Sequence, residues 1–309
     1  MKRAAGKMKL HQNGRHEMKL LVTDIDGTLT ADNSVPGPVI EACSRLRRAG
    51  WRLMIATGRI WASARPFAEA IGSDLPAIVY DGARIMESRG GKSPFREWRI
   101  SSRVAGEILS LGWESSLLVQ AYGDEEVTCR PGDDVTRRFF RSLGVVVKPD
   151  LDYPKLSYNP YRIIYYGNPV EARELGERIR ASMKGRVEVT LAGEGFLDIL
   201  APGVSKGAAL RAFLEDSGLE VDRIVAAGDH HNDVGLLLEA DLAVTFRDAP
   251  NEVMEAAHLV LPPASCMGFL ELCRFLEETC EESGSGPFPA GTGLTYRRGS
   301  PLQLGTSPA

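Results

Sequence analysis

The chain has 309 residues, with Lys+Arg 37 against Asp+Glu 41, a net charge of −4, an apolar fraction of 43% and a charged fraction of 25%. These values belong to a folded globular protein and exclude collagen-like, disordered and disulfide-scaffold classes. No apolar run approaches the ~18 residues of a membrane span, and this length predicts about two domains.

Residues 1–17 carry Lys2, Arg3, Lys7, Lys9 and Arg15 against Glu17, a net of +4 that leaves −8 on the remainder. An acidic body argues against nucleic acid or anionic membrane as a partner. The basic start lacks the apolar stretch of a signal peptide. Met18-Lys19-Leu20-Leu21-Val22 reads like a protein start, so residues 1–17 are expected to be a disordered extension. Leu20-Leu21-Val22 predicts a buried strand that ends at Asp24. Pro38 opens a helix with Val39, Ala42, Cys43 and Leu46 on one face, stopped by Gly50. A strand at Leu53–Ala56, a helix over 60–71 and a strand at Ile78–Tyr80 follow.

From 84 to 198 the pattern changes to that of an inserted α+β domain. Arg84–Glu87 and Phe95–Ile100 read as its opening hairpin. Then come a helix over 102–111, strands over 117–122 and 125–130, a helix over 133–143 and a strand over 161–166. Asn168-Pro169 caps a helix over 170–183, and strands close the insertion at 187–191 and 196–200. The alternation then resumes: helix 206–217, strand 223–227, helix 233–239, strand 241–245, helix 250–257, strand 258–261 and helix 265–279. Strand–helix alternation on both sides of an insertion predicts an α/β fold, a doubly wound parallel sheet made of 18–83 and 199–280, with 84–198 as a second domain. In residues 281–309, 17 of 29 are Gly, Pro, Ser or Thr, so disorder is expected there.

The five cysteines, Cys43, Cys129, Cys266, Cys273 and Cys280, are few and odd in number, which fits a reducing, cytoplasmic setting. Cys266, Cys273 and Cys280 recur every seven residues. On one helix they would share a face as small core residues, about two turns apart and too distant for one metal.

Four loops lie where the alternating pattern places the carboxyl ends of strands, which is where open α/β sheets bind ligands. Asp24-Ile25-Asp26-Gly27-Thr28-Leu29 offers two carboxylates two residues apart. Such a pair can hold a hard cation, supply a nucleophile and an acid/base, or simply form an Asx turn. Thr57-Gly58-Arg59 combines a hydroxyl with free backbone N–H groups, a small oxyanion cradle or a helix cap. Ser205-Lys206-Gly207 puts a lysine at a helix start, where the macrodipole favours anions. An anionic ligand or carboxylate partner resolves that mismatch, and so does plain solvation. Gly228-Asp229-His230-His231-Asn232-Asp233 adds carboxylates at another strand end, with capping by Asp233 as the simpler alternative. A zinc site is disfavoured because adjacent His side chains diverge.

Taken together and in this order, the four loops resemble the signature of the haloacid dehalogenase-like (HAD) phosphohydrolases over residues 18–277. Within them the chain is similar to the Cof-type group, which carries a large α/β cap between the second and third motifs. The resemblance implies a Rossmann-like core with an inserted cap. It implies Asp24 as nucleophile and Asp26 as acid/base. Thr57, Gly58 and Lys206 would bind phosphoryl oxygens, with Asn232 positioning the group. Mg²⁺ would be held by Asp24, the Asp26 main-chain carbonyl and Asp229, with Asp233 orienting Lys206 or a metal-bound water. The implied activity is hydrolysis of a small phosphorylated metabolite, a sugar phosphate or similar. A sugar phosphomutase and a non-catalytic phosphate-ester-binding regulator are the alternatives, and the family includes both monomers and dimers.

Two departures from the group stand at strand ends. Asp81-Gly82-Ala83 replaces the usual Asn-Gly-Ala, and Arg247-Asp248-Ala249 replaces a Gly-Asn-Ala segment. Arg247 is therefore expected to contact substrate or to pair with Asp81 or Asp248. Arg130, Arg137, Arg138 and Arg162 of the insertion suit a second anionic group or the surface equally well, and none is assigned a role.

Overall fold

β1 (Lys19–Thr23) is buried almost throughout, as a strand inside a parallel sheet must be. The chain continues through α1 (Gly37–Arg48), β2 (Trp51–Ile55), α2 (Trp61–Ala70) and β3 (Ala77–Val79). This is a computed structural model, and it describes residues 18–30, 32–87, 94–124, 126–142, 145–148, 156–191, 195–281 and 302–303. The disorder expected for 1–17, and for nearly all of 281–309, falls outside the described residues.

β4 (Arg84–Met86) and β5 (Pro94–Glu97) form the expected hairpin, but it pairs with β3 rather than with the insertion's sheet. The reason is apolar: Ile85 is fully buried in one apolar cluster with Ile78, Leu210 and Phe213, and Phe95 meets Phe213 edge to face at 5.4 Å.

The insertion follows as α3 (Ser102–Gly112), β6 (Leu118–Tyr122), β7 (Glu126–Cys129), α4 (Asp134–Ser142), β8 (Val146–Lys148), β9 (Arg162–Tyr166), α5 (Pro169–Ser182), β10 (Glu188–Leu191) and β11 (Phe196–Leu200). Its six strands run in the order β10-β11-β9-β6-β7-β8, antiparallel except for the β7–β8 pair. β8 had no periodicity strong enough to announce it.

The chain then returns through α6 (Lys206–Ser217), β12 (Arg223–Ala227), α7 (Val234–Leu237), β13 (Leu242–Phe246), α8 (Asn251–Ala256), β14 (Leu259–Leu261) and α9 (Gly268–Glu281). The core sheet is parallel, β14-β13-β12-β1-β2, with Leu302–Gln303 beside β14. One bridge, Ala56 to Ile78, links it to β3. The order reverses direction between β1 and β12, which makes the crevice beyond their carboxyl ends the topological switch point.

The helix expected over 233–239 is shorter, because a 3-10 turn at His231–Asp233 precedes α7. Cys266 likewise lies in a 3-10 turn, Ala264–Cys266, ahead of α9, so it does not share a helical face with Cys273. Cys273 is buried beside Cys43, as a small core residue.

Candidate active site

The loop after β1 delivers Asp24 into the switch point, where it is 5% exposed. Gly27 makes this possible. Its φ is +74°, and a Cβ there would stand 2.2 Å from Asp229 Oδ2, so only glycine lets the β1 and β12 loops meet. Thr28 Oγ1 donates to Asp229 Oδ1 at 2.7 Å and fixes that contact.

Lys206 is the first residue of α6, behind the N-cap Ser205, whose Oγ accepts from Ala208 N at 3.1 Å. Its side chain is 1% exposed. Nζ donates to Asp24 Oδ1 at 2.8 Å and to Asp233 Oδ1 at 2.6 Å, and lies 3.9 Å from Asp81 Oδ1. Burial alone would discharge this ammonium, but Asp233, Asp24 and Asp81 reverse the shift and hold it firmly protonated. Asp233 uses its other oxygen to accept from the N–H groups of Asp229 and His230, both at 3.0 Å. It thus braces the β12 loop and orients Lys206.

Asp24, Asp229 and Asp233 each bring a carboxylate oxygen within 4.8 Å of the others. Burial first, then the neighbouring Asp233 and Asp229 charges, push the Asp24 carboxyl well above its ordinary range against the pull of Lys206. Burial likewise pushes Asp229 up to about 7, with Asp233 adding to it and the Thr28 hydrogen bond opposing. One lysine among so many carboxylates leaves an excess of negative charge, and the donors are all oxygen. Such a set suits a hard divalent cation.

The opposite wall comes from the loops after β2 and β3. Thr57 is 1% exposed, and its Oγ1 accepts from Arg59 N at 3.2 Å. Gly58 has no room for a Cβ, which would lie 2.7 Å from Asp81 Oδ2. Tyr80 and Asp81 both adopt left-handed backbone, at φ +53° and +52°, where non-glycine residues are strained. That turn aims the Asp81 carboxylate inward, where Asn232 Nδ2 donates to it at 2.6 Å. Asn232 Oδ1 is buried without a hydrogen-bond partner among the described residues.

Asp81 is also where the insertion touches the core. Arg162 of β9 donates to Asp198 of β11 through Nε at 3.0 Å and Nη2 at 2.6 Å, a fork that matches the carboxylate. The same Nη2 lies 3.1 Å from Asp81 Oδ2, and Nη1 donates to Gly58 O at 2.5 Å. Burial pushes Asp81 up, but Arg162, Lys206 and Asn232 together carry it below its ordinary value. Burial wins at Asp198, which rises to about 6 despite Arg162.

Asp26 points elsewhere. Arg59 Nε donates to its Oδ2 at 2.7 Å and Nη2 to its Oδ1 at 2.5 Å, while the same guanidinium reaches Asn33 Oδ1 at 2.6 Å and Ser63 Oγ at 3.2 Å. These groups open onto a cleft of about 720 Å³ between core and insertion.

A sequence profile of the haloacid dehalogenase-like hydrolases matches residues 21–271, and so spans every loop just described. The chain belongs to that family. Among relatives of this HAD chain, a phosphoglycolate phosphatase of Methanoculleus marisnigri is 28% identical over 258 residues, 82% of this chain and 94% of the relative. Pyridoxal phosphate phosphatase YbhA of Escherichia coli is 24% identical over 255 residues, 79% of this chain and 93% of the relative. The crystal structure of a haloacid dehalogenase-like hydrolase from Bacteroides thetaiotaomicron superposes with a TM-score of 0.72 at 20% identity, over 84% of this chain and 99% of that one. The doubly wound HAD core with an inserted α+β cap is therefore the fold.

The HAD site brings together Asp24, Asp26, Thr57, Gly58, Asp229 and Asn232 as cleft-lining residues, with Lys206 and Asp233 directly behind them. Arg247 is not among the cleft residues; it is exposed, and its N–H donates to Leu261 O at 2.9 Å. Asp81, one of the partners expected for Arg247, is paired with Arg162. Of the four cap arginines only Arg162 reaches the cleft, whereas Arg130 caps the carbonyls of Gly112, Trp113 and Ser115. Asp198, Tyr122, Phe139 and Phe140 were not among the residues the sequence offered, and Arg59 was named only within its loop. The one available signal was the exchange of Asn for Asp at position 81, because a buried extra carboxylate demands a cation from somewhere.

Proposed function

We propose that this HAD hydrolase is a Mg²⁺-dependent phosphomonoesterase of a small phosphorylated metabolite, acting through an aspartyl-phosphate on Asp24. The observation that carries the reading is the buried Lys206 ammonium, 2.8 Å from Asp24 at the topological switch point. A carboxylate that attacks a phosphate dianion meets charge repulsion, and a cation fixed beside it removes much of that barrier. The relatives named above, a phosphoglycolate and a pyridoxal phosphate phosphatase, support phosphate-ester hydrolysis as the reaction class.

In this reading an Asp24 oxygen forms a bond to phosphorus as the bond to the leaving oxygen breaks. Thr57 and the main chain around Gly58 hold the phosphoryl oxygens, and Lys206 balances their charge. Asp26, once it has taken up a proton from solvent, gives that proton to the leaving oxygen, then takes one from the water that cleaves the aspartyl-phosphate. For this, its carboxylate must leave the Arg59 fork, so Arg59 keeps the acid/base outside the phosphate position until substrate competes for it. Asp24 and Asp229 would hold the Mg²⁺, with the Asp26 carbonyl as a third donor, while Asp233 stays committed to Lys206 and the β12 loop. The ion would supply a second centre of positive charge for the equatorial oxygens.

The test is phosphate release from a panel of phosphorylated metabolites, with Mg²⁺ and with EDTA, in wild type and Asp24→Asn. Release that needs Mg²⁺ and falls at least ~10³-fold in Asp24→Asn is expected. Equal rates in the two proteins would remove Asp24 as nucleophile.

A further inference from the structure

The cap's side of the cleft has a chemistry of its own. It consists of Tyr122 from β6, Phe139 and Phe140 from α4, and Arg162 and Ile164 from β9. The rings are interlocked. Tyr122 meets Phe140 at 5.8 Å and 77°, and Phe140 meets Phe139 at 5.0 Å and 81°. On its other side Tyr122 meets Tyr80 of the core at 6.0 Å and 76°. Edge-to-face packing of this kind fixes ring orientation. At the outer end, Phe139 is 59% exposed, a large apolar surface beside a polar site.

The polar atoms on this side are already committed. The Tyr122 hydroxyl turns into the cap and donates to Gln120 Oε1 at 2.5 Å; Gln120 Nε2 in turn donates to Thr136 Oγ1 at 2.7 Å. Arg162 is held by Asp198, Asp81 and Gly58 O. At the core rim, Asn33, Ser63 and Asp26 are all bonded to Arg59. A polyhydroxylated leaving group would shed its water here and find few partners, which is costly. A second anionic group would find Arg162 occupied, and Arg59 opens to it only when Asp26 leaves. A flat apolar ring would find aromatic faces and edges at the spacing rings prefer.

We infer that the cap side of the cleft is a subsite for an uncharged aromatic or heteroaromatic leaving group, so that the substrate class is an aryl- or heteroaryl-methyl phosphate rather than a sugar phosphate. This rests on the phosphatase reading of the core. The aromatic rings bind the leaving group and the core loops bind the phosphate.

The experiment compares kcat/KM for pyridoxal 5′-phosphate and benzyl phosphate with that for glucose 6-phosphate and 2-phosphoglycolate, in wild type and in Phe139→Ala. Phe139 is exposed, so its truncation leaves the fold intact. The aromatic esters are expected to lead by at least ~10-fold, and Phe139→Ala to collapse that ratio several-fold through KM. A sugar or glycolate ester that matches or beats the aromatic ones overturns the subsite. Binding of the same four esters to Asp24→Asn, by calorimetry, separates the two readings. Aromatic preference in binding without turnover in wild type would sink the phosphatase reading and keep the subsite. Turnover without aromatic preference in either measurement would do the reverse.

Discussion

On the core side of the cleft, Asp24, Asp81, Lys206 and Asp233 are each at most 5% exposed, and charge is packed directly against charge. On the cap side the facing groups are rings and an isoleucine, with one guanidinium drawn away to partners of its own. The core side concentrates electrostatic work, where low dielectric makes each fixed charge count for more. The cap side sorts by shape and polarity. The difference teaches that the two halves of one cleft answer to different physical terms, and that each can be perturbed separately.

The most severe way to test that division is to strip the core of its cation. Lys206→Met leaves the Asp24 and Asp233 carboxylates facing each other in a dry site. A loss of ~3–5 kcal/mol in urea unfolding is expected, because a broken buried pair leaves charge uncompensated. A loss below ~1 kcal/mol would mean that the core is not held by its charges. The cap's counterpart is Asp198, whose carboxyl burial lifts to about 6 from an ordinary 3.8. Between those values the native state keeps a proton that the unfolded chain has shed. Stability from this group is therefore full below about pH 4 and is lost as pH rises through 6, by up to ~3 kcal/mol. Asp198→Asn should abolish that slope in unfolding midpoints measured from pH 4 to 7. Identical profiles would show that Arg162 keeps Asp198 ionised throughout. The smallest effect belongs to Ser205→Ala. It removes the cap of α6 without touching a charge, and should lower stability by ~1 kcal/mol in the same assay. A drop as large as that of Lys206→Met would show that helix capping, not ion pairing, places the lysine.

The contrast also explains what could be read from the residues in order. Asp24-X-Asp26-Gly27-Thr28, Thr57-Gly58-Arg59 and Gly228-Asp229-X-X-Asn232-Asp233 are each contiguous, because a strand end and the following turn deliver their groups within a few residues. The cap surface has no such locality. Antiparallel register sets Arg162 opposite both Tyr122 and Leu200, and Ile164 opposite both Gln120 and Asp198. With side chains alternating by two, Tyr122, Arg162, Ile164 and Asp198 share one face although they span 77 positions of sequence. No spacing rule links such residues before the strands are paired. The partner of Asp81 was hidden for a related reason. A strand-end position in the core sheet offered Arg247 as one candidate, while a cation on Asp81 comes from the insertion's sheet.

Arg162 has a consequence for how this molecule can be rebuilt. Among the described residues its guanidinium bonds Asp198 from its own sheet, and Asp81 and the Gly58 carbonyl from the other. Cap and core are thus not freely interchangeable modules. A chimera that takes this cap onto a core with asparagine at position 81 leaves Arg162 with one carboxylate instead of two. The converse chimera strands Asp81 beside Asp24 and Lys206 with no cap cation. Positions 81, 162 and 198 form a unit of inheritance, and recombination that respects the domain seam must still move all three together.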